Sequence, residues 1–161
     1  MLLFKHLDSM PYLTRQITRE AYIEKYRPEF AALNFSNKYL KKNTKLLAFF
    51  LGNRGYYSGH EIFFKKDGFR DAVKNANTCN DILVELKNLK FTAIVLNYDK
   101  FNNWINTSFS EQEKKMITEF FNLSVTRLFR KGGYGLLSDV NYFVRSASII
   151  LAGFLISINA F

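Results

Sequence analysis

Arg54, Tyr56, Tyr57, His60 and Asp99 are the residues whose types and places could do chemistry. Gly52-Asn53-Arg54-Gly55 follows an apolar run, which invites a phosphate-loop reading with backbone N–H groups converging on an anion. The segment supplies only two glycines, and Tyr56-Tyr57-Ser58-Gly59 does not continue as a good helix. It therefore fits neither the dinucleotide pattern G-x-G-x-x-G nor the nucleoside-triphosphate pattern G-x-x-x-x-G-K-S/T. The favoured reading is a tight turn whose Arg54 pairs with a nearby carboxylate. The functional alternative is an anion or partner contact through Arg54, Tyr56 and Tyr57.

His60-Glu61 is the only His/Glu adjacency, and the second histidine, His6, lies far off in the N-terminal lead-in. Nothing in the spacing brings both histidines to a carboxylate, so no metal site is expected. His60 reads as a solvent-facing or hydrogen-bonded residue beside an edge strand. Ser58 is too close to His60 in sequence to suggest a triad, and no G-x-S-x-G elbow occurs. Asp81 and Asp99 have capping roles to fill. Asp99 also follows a strand end, where open α/β sheets place ligands, so Asp99 and His60 are candidate ligand contacts. The single Cys79 rules out an intrachain disulfide and a thiolate metal cage. No cofactor is implied.

The elements that must position these groups follow from periodicity. Thr18 suits a helix N-cap before Arg19-Glu20, and Tyr22, Tyr26, Phe30, Leu33, Asn37 and Leu40 recur at near-helical spacing. Pro28 predicts a bend between two helices. Residues 45–51 (KLLAFFL) are apolar without alternation, as in a strand covered on both faces, and 92–98 repeat the pattern. Ile62-Phe63-Phe64 reads as an edge strand, with Lys65 to Gly68 closing that unit. Thr78 and Asp81 predict a capping box opening a helix to about Lys90, and Ser110 with Glu113 predict another. Asp99 is expected to cap a short helix between them. Val125 to Arg130, Gly132-Gly133 and Tyr134 to Ser138 read as a hairpin.

The expected fold is therefore a small two- or three-layer α/β domain. It has a short, mainly parallel Rossmann-like sheet, a C-terminal β-hairpin and a terminal apolar helix. Residues 1–17 form a lead-in, 18–140 a single domain and 141–161 an apolar tail. The last sixteen residues, Ser146 to Phe161, carry no charge and read as a membrane anchor, the start of a spanning helix or a packed helix. Net charge is +9, from 23 Lys+Arg against 14 Asp+Glu, which favours anionic partners: lipid headgroups, phosphorylated ligands or nucleic acid. With 17 Phe, 9 Tyr and 1 Trp, many rings must be buried.

Several landmarks combine: T18-R19-E20-A21-Y22, the run from Asn37 to Lys45, L51-G52-N53-R54-G55-Y56-Y57, I82-L83-x-E85-L86 and F91 to Y98. Together they resemble the C-terminal extramembrane domain of bacterial polytopic glycosyltransferases of the dolichyl-phosphate-mannose–protein mannosyltransferase type. The resemblance spans roughly residues 15–138. It implies a non-catalytic accessory domain beside a membrane bundle that uses polyprenyl-phosphate sugars. It also implies a membrane-associated place at the extracytoplasmic face, periplasmic or cell exterior. The partners would be membrane or a polytopic membrane protein, with polyprenyl-phosphate or glycan contact. No residue matches the family's catalytic aspartate, so the chain is not expected to transfer sugar by itself. Two other readings stand beside this one. The first is a basic α/β binding protein for RNA or another polyanion. The second is a small soluble enzyme in which Arg54, His60 and an aspartate converge.

Overall fold

The computed structural model describes residues 9–52 and 54–139. It is a mixed α/β domain built on a five-stranded sheet. After a helical turn, α1 (Met10–Leu13), come α2 (Arg19–Tyr26), α3 (Glu29–Tyr39) and β1 (Lys45–Phe49). A 3-10 turn over Gly55–Tyr57 leads to β2 (Glu61–Phe63), followed by α4 (Lys66–Asn75) and α5 (Cys79–Asn88). β3 (Ala93–Asn97), α6 (Tyr98–Ser108), α7 (Glu111–Leu123), β4 (Val125–Lys131) and β5 (Tyr134–Asp139) complete it.

The strand order is β2-β1-β3-β5-β4. β1 runs parallel to both β2 and β3, as a βαβ crossover requires. β5 then joins β3 antiparallel and β4 closes the sheet antiparallel. The expected mainly parallel, Rossmann-like sheet is thus corrected to a mixed one. The hairpin does not stand apart; it extends the sheet from β3, so half of the strand pairings are antiparallel. The expected terminal apolar helix and tail, 141–161, lie outside the described residues. Among the described residues no helix is long and apolar enough to cross a membrane.

Both central strands are covered on both faces, which explains their unbroken apolar runs. Leu46, Ala48 and Val95 face Ala32 and Leu33 of α3, with Leu136 of β5 beside them. Leu47, Phe49, Ile94 and Leu96 face the opposite layer, formed by Phe69 and Val73 of α4, Ile82 and Leu86 of α5, Trp104 of α6 and Phe120 of α7. The architecture is helix, sheet, helices. Full burial of each large apolar side chain contributes about 1.5–3 kcal/mol.

Helix boundaries follow their caps. Thr18 accepts from Ala21 N–H at 3.2 Å, and reciprocal capping boxes join Thr78 with Asp81 and Ser110 with Glu113. Pro28 marks the bend between α2 and α3. Two expectations change. The helix at 98–108 is capped by Asn97, whose Oδ1 accepts from Lys100 N–H at 3.0 Å; Asp99 sits in its first turn, where a carboxylate suits the helix dipole. Lys65 to Gly68 does not merely close a strand unit but opens α4, which has no capping side chain and carries a glycine in its first turn.

Candidate functional site

The connection between β1 and β2 carries four of the five candidate residues. Phe50 and Gly52 both take left-handed backbone, with φ of 61° and 64°. Glycine takes that conformation without a Cβ penalty; Phe50 is held in it by packing, its ring 5.9 Å from Trp104. These two turns send the chain from the end of β1 back across α3.

From there the loop is fastened to α3 at three levels. Arg54 Nη1 donates to Glu29 Oε1 at 3.1 Å in the first turn of the helix. Asn37 Nδ2 donates to the Tyr57 carbonyl at 2.8 Å, and its Oδ1 accepts from Gly59 N–H at 2.7 Å. His60 Nε2 lies 2.9 Å from the Ser36 carbonyl. Glu29 and Asn37 are eight residues apart, about 12 Å along the helix, so the loop is tied along most of α3. Phe30 adds an edge-to-face contact with the Tyr57 ring at 5.1 Å.

Electrostatics at the first tie are asymmetric. The Glu29 side chain is 1% exposed and that of Arg54 is 41% exposed. Glu29 Oε2 is buried with no hydrogen-bond partner among the described residues, as is His60 Nδ1. Tyr57 packs on Tyr56 with ring centroids 4.1 Å apart. Their hydrogen bond, followed by partial burial, raises the Tyr57 phenol above its ordinary value. Tyr56 itself is 68% exposed. The outcome is a braced loop with one aromatic side chain standing at its surface.

The candidate residues do not gather into one centre. Arg54 and His60 engage opposite ends of α3. His60 precedes β2, whose start pairs with the start of β1, whereas Asp99 lies beyond the end of the central strand β3, at the opposite end of the parallel strands. Asp99 is exposed and lies against the hairpin turn, its Oδ2 3.6 Å from where a Cβ on Gly133 would stand. The enzyme arrangement in which Arg54, His60 and an aspartate converge does not form among the described residues. Among the described residues, no group of His, Cys, Asp or Glu side chains is placed to hold a metal ion.

Glu29 and Asn37 were the positions that the candidate residues themselves did not reveal. The signal for Asn37 was a polar residue on the otherwise apolar stripe of α3. Glu29 carried none, because an acid after Pro28 is explained by the helix dipole alone. Some of the other basic residues pair with nearby carboxylates: Lys45 with Glu61 at 3.1 Å, Lys114 with Glu111 at 2.7 Å, and Lys131 with Glu24. No protein-family model, curated protein or solved structure matches the chain.

Proposed function

We propose that this chain is a non-catalytic accessory domain of a membrane glycosyltransferase system that uses polyprenyl-phosphate sugars, placed at the extracytoplasmic face. The observation that carries the reading is the loop 54–60. The segment at the centre of the resemblance is fastened to α3, its Arg54 is committed to Glu29, and Tyr56 is presented outward. Such a loop suits rigid docking against a partner better than it suits turnover. The other quoted landmarks fall on coherent elements: the start of α2, the passage from α3 into β1, α5 and β3. In this role Tyr56 supplies an aromatic contact to the membrane portion, and Arg54 keeps the loop in shape.

Polyanion binding rests on the net charge of +9 alone. A single-strand reader stacks bases on an open sheet face, and here helices cover both faces of the central strands. The test is co-purification of the full chain from its host membranes in mild detergent, with sugar transfer assayed in parallel. The expected result is recovery with a polytopic membrane protein, weakened by Tyr56→Ser, and no transfer from a polyprenyl-phosphate sugar by the purified chain. Transfer by the chain alone would overturn the reading, as would recovery without any polytopic partner.

A further inference from the structure

We propose that a cleft on the face opposite α3, between α6, α7 and β4, binds a small amphiphilic anion. Its oxyanion head would meet Arg127 and Tyr98, and its apolar body would lie on Phe121 and Ile105. The inference is independent of the docking role, since the 54–60 loop packs on the other side of the sheet.

The cleft has a volume of about 390 Å³, within the range of about 300–1,000 Å³ usual for small-molecule sites. Its floor is core: Leu96, Phe101, Ile117 and Leu137 are all buried. Phe121 and Ile105 are only partly buried, so apolar surface is left for a ligand to cover. Phe121 meets Phe101 edge-to-face at 5.4 Å, a geometry into which another ring can pack.

The Tyr98 phenol and the Arg127 guanidinium are unspent among the described residues, whereas Thr118 Oγ1 already donates to the Lys114 carbonyl at 2.8 Å. Tyr98 Oη is buried with no hydrogen-bond partner among the described residues. Its ring is held in place from two sides. Gly135 leaves the space the ring occupies, since a Cβ there would stand 2.4 Å from Tyr98 Cε2. The Arg130 guanidinium covers the ring at 4.6 Å. Arg127, which lines the cleft, shares the face of the sheet carrying Leu137, its register partner on β5. Among the described residues, no carboxylate lines the cleft. A fixed phenol donor and an exposed guanidinium without an ion-pair partner among the described residues, above an apolar floor, select an anion with a hydrophobic body. A neutral ligand would leave the guanidinium's preference for a charged oxygen unused.

The test is a titration of the isotopically labelled full chain, followed by amide chemical shifts. Three ligands of similar shape are used: phenylacetate, phenyl phosphate and uncharged phenylacetamide. The expected result is saturable shifts with the anions, confined to 98–105, 117–127 and 135–137. Phenylacetamide should bind about tenfold more weakly, as should the anions to Arg127→Gln, since a charge-assisted hydrogen bond is lost in each case. Arg127 is exposed, so this variant tests binding without threatening the fold; Tyr98→Phe should give a smaller loss. The tighter of the two anions identifies the head group as carboxylate or phosphate. The proposal is overturned if no saturable shift appears at millimolar ligand, if phenylacetamide equals phenylacetate, or if Arg127→Gln leaves affinity unchanged.

Discussion

Replacing Arg54 by alanine should destabilise the domain by about 2 kcal/mol, a value set between two limits. Removing one partner of a fully buried ion pair costs about 3–5 kcal/mol, because the remaining charge is stranded. Exposed pairs are worth about 0–1 kcal/mol. Here the carboxylate is 1% exposed and the guanidinium 41% exposed. Water can therefore reach Glu29 Oε1 once the arginine is gone, but not Oε2, which already lacks a partner. Glu29→Gln alone removes the desolvated charge and keeps an acceptor for Arg54, so its cost should be about 1 kcal/mol. Combining the two gives the sharper result. In the Arg54→Ala background, Glu29→Gln should recover about 1–2 kcal/mol, because no stranded charge remains. Urea unfolding of the full chain measures all four corners of the cycle, with a constant m-value as the check that only stability has changed. Thermal midpoints should follow, at about 2–8 °C per kcal/mol for domains of this size range. An Arg54→Ala cost below about 0.5 kcal/mol, together with strict additivity, would refute the structural role. It would return Arg54 to the pool of residues free for a partner.

Gly135→Ala should cost about 1–3 kcal/mol, because the new methyl would stand 2.4–2.8 Å from three atoms of the Tyr98 side chain on a strand paired on both sides. The loss should shrink in a Tyr98→Ala background; an unchanged midpoint would mean that Tyr98 swings aside at no cost. Acid stability should reflect the two capping boxes. The Asp81 carboxylate is held below its ordinary value first by the Thr78 backbone N–H, and that of Glu113 first by the Ser110 N–H. Folded values below the unfolded ones mean that this stability is present above about pH 4–5 and is lost as pH falls through the depressed values. Urea midpoints of wild type and Asp81→Ala/Glu113→Ala should converge as pH is lowered from about 6 towards 2. A gap constant across that range would dismiss the link between the caps and acid unfolding.

The parts of the fold legible in the sequence were those in which one residue type has one physical job. Thr78 with Asp81 and Ser110 with Glu113 name helix starts because few other side chains reach an unpaired N–H. The runs 45–51 and 92–98 name two-sided strands because alternation vanishes when both faces are buried. Gly132-Gly133 names a turn, and both residues do take positive φ, at 56° and 78°. α4 was missed because Lys66–Asn75 starts without a cap and shows only three buried residues, Phe69, Ala72 and Val73, among charged ones. The antiparallel docking of the hairpin was missed for a different reason. A hairpin's own pattern fixes the pairing of its two strands but says nothing about which third strand it will join.

That unreadable choice decides where chemistry can reside. Had the hairpin packed apart from the sheet, Tyr98, the residue after β3, would stand in solvent, as Asp99 does. Because β5 pairs with β3, Asn97 lies opposite Tyr134 and Leu96 opposite Gly135. The glycine at 135 then receives the Tyr98 ring from the neighbouring strand end, and β4 brings Arg130 over it and Arg127 to the cleft. The bulge between Arg127 and Phe129 is part of the same arrangement. It lets Arg127 and Arg130, three residues apart, share a face that strict alternation would deny to one of them. The phenol and the two guanidinium groups come to one face of the sheet only through the seam between the parallel and antiparallel halves. The most chemically distinctive spot on the domain thus follows from the one feature of topology that local sequence pattern does not encode.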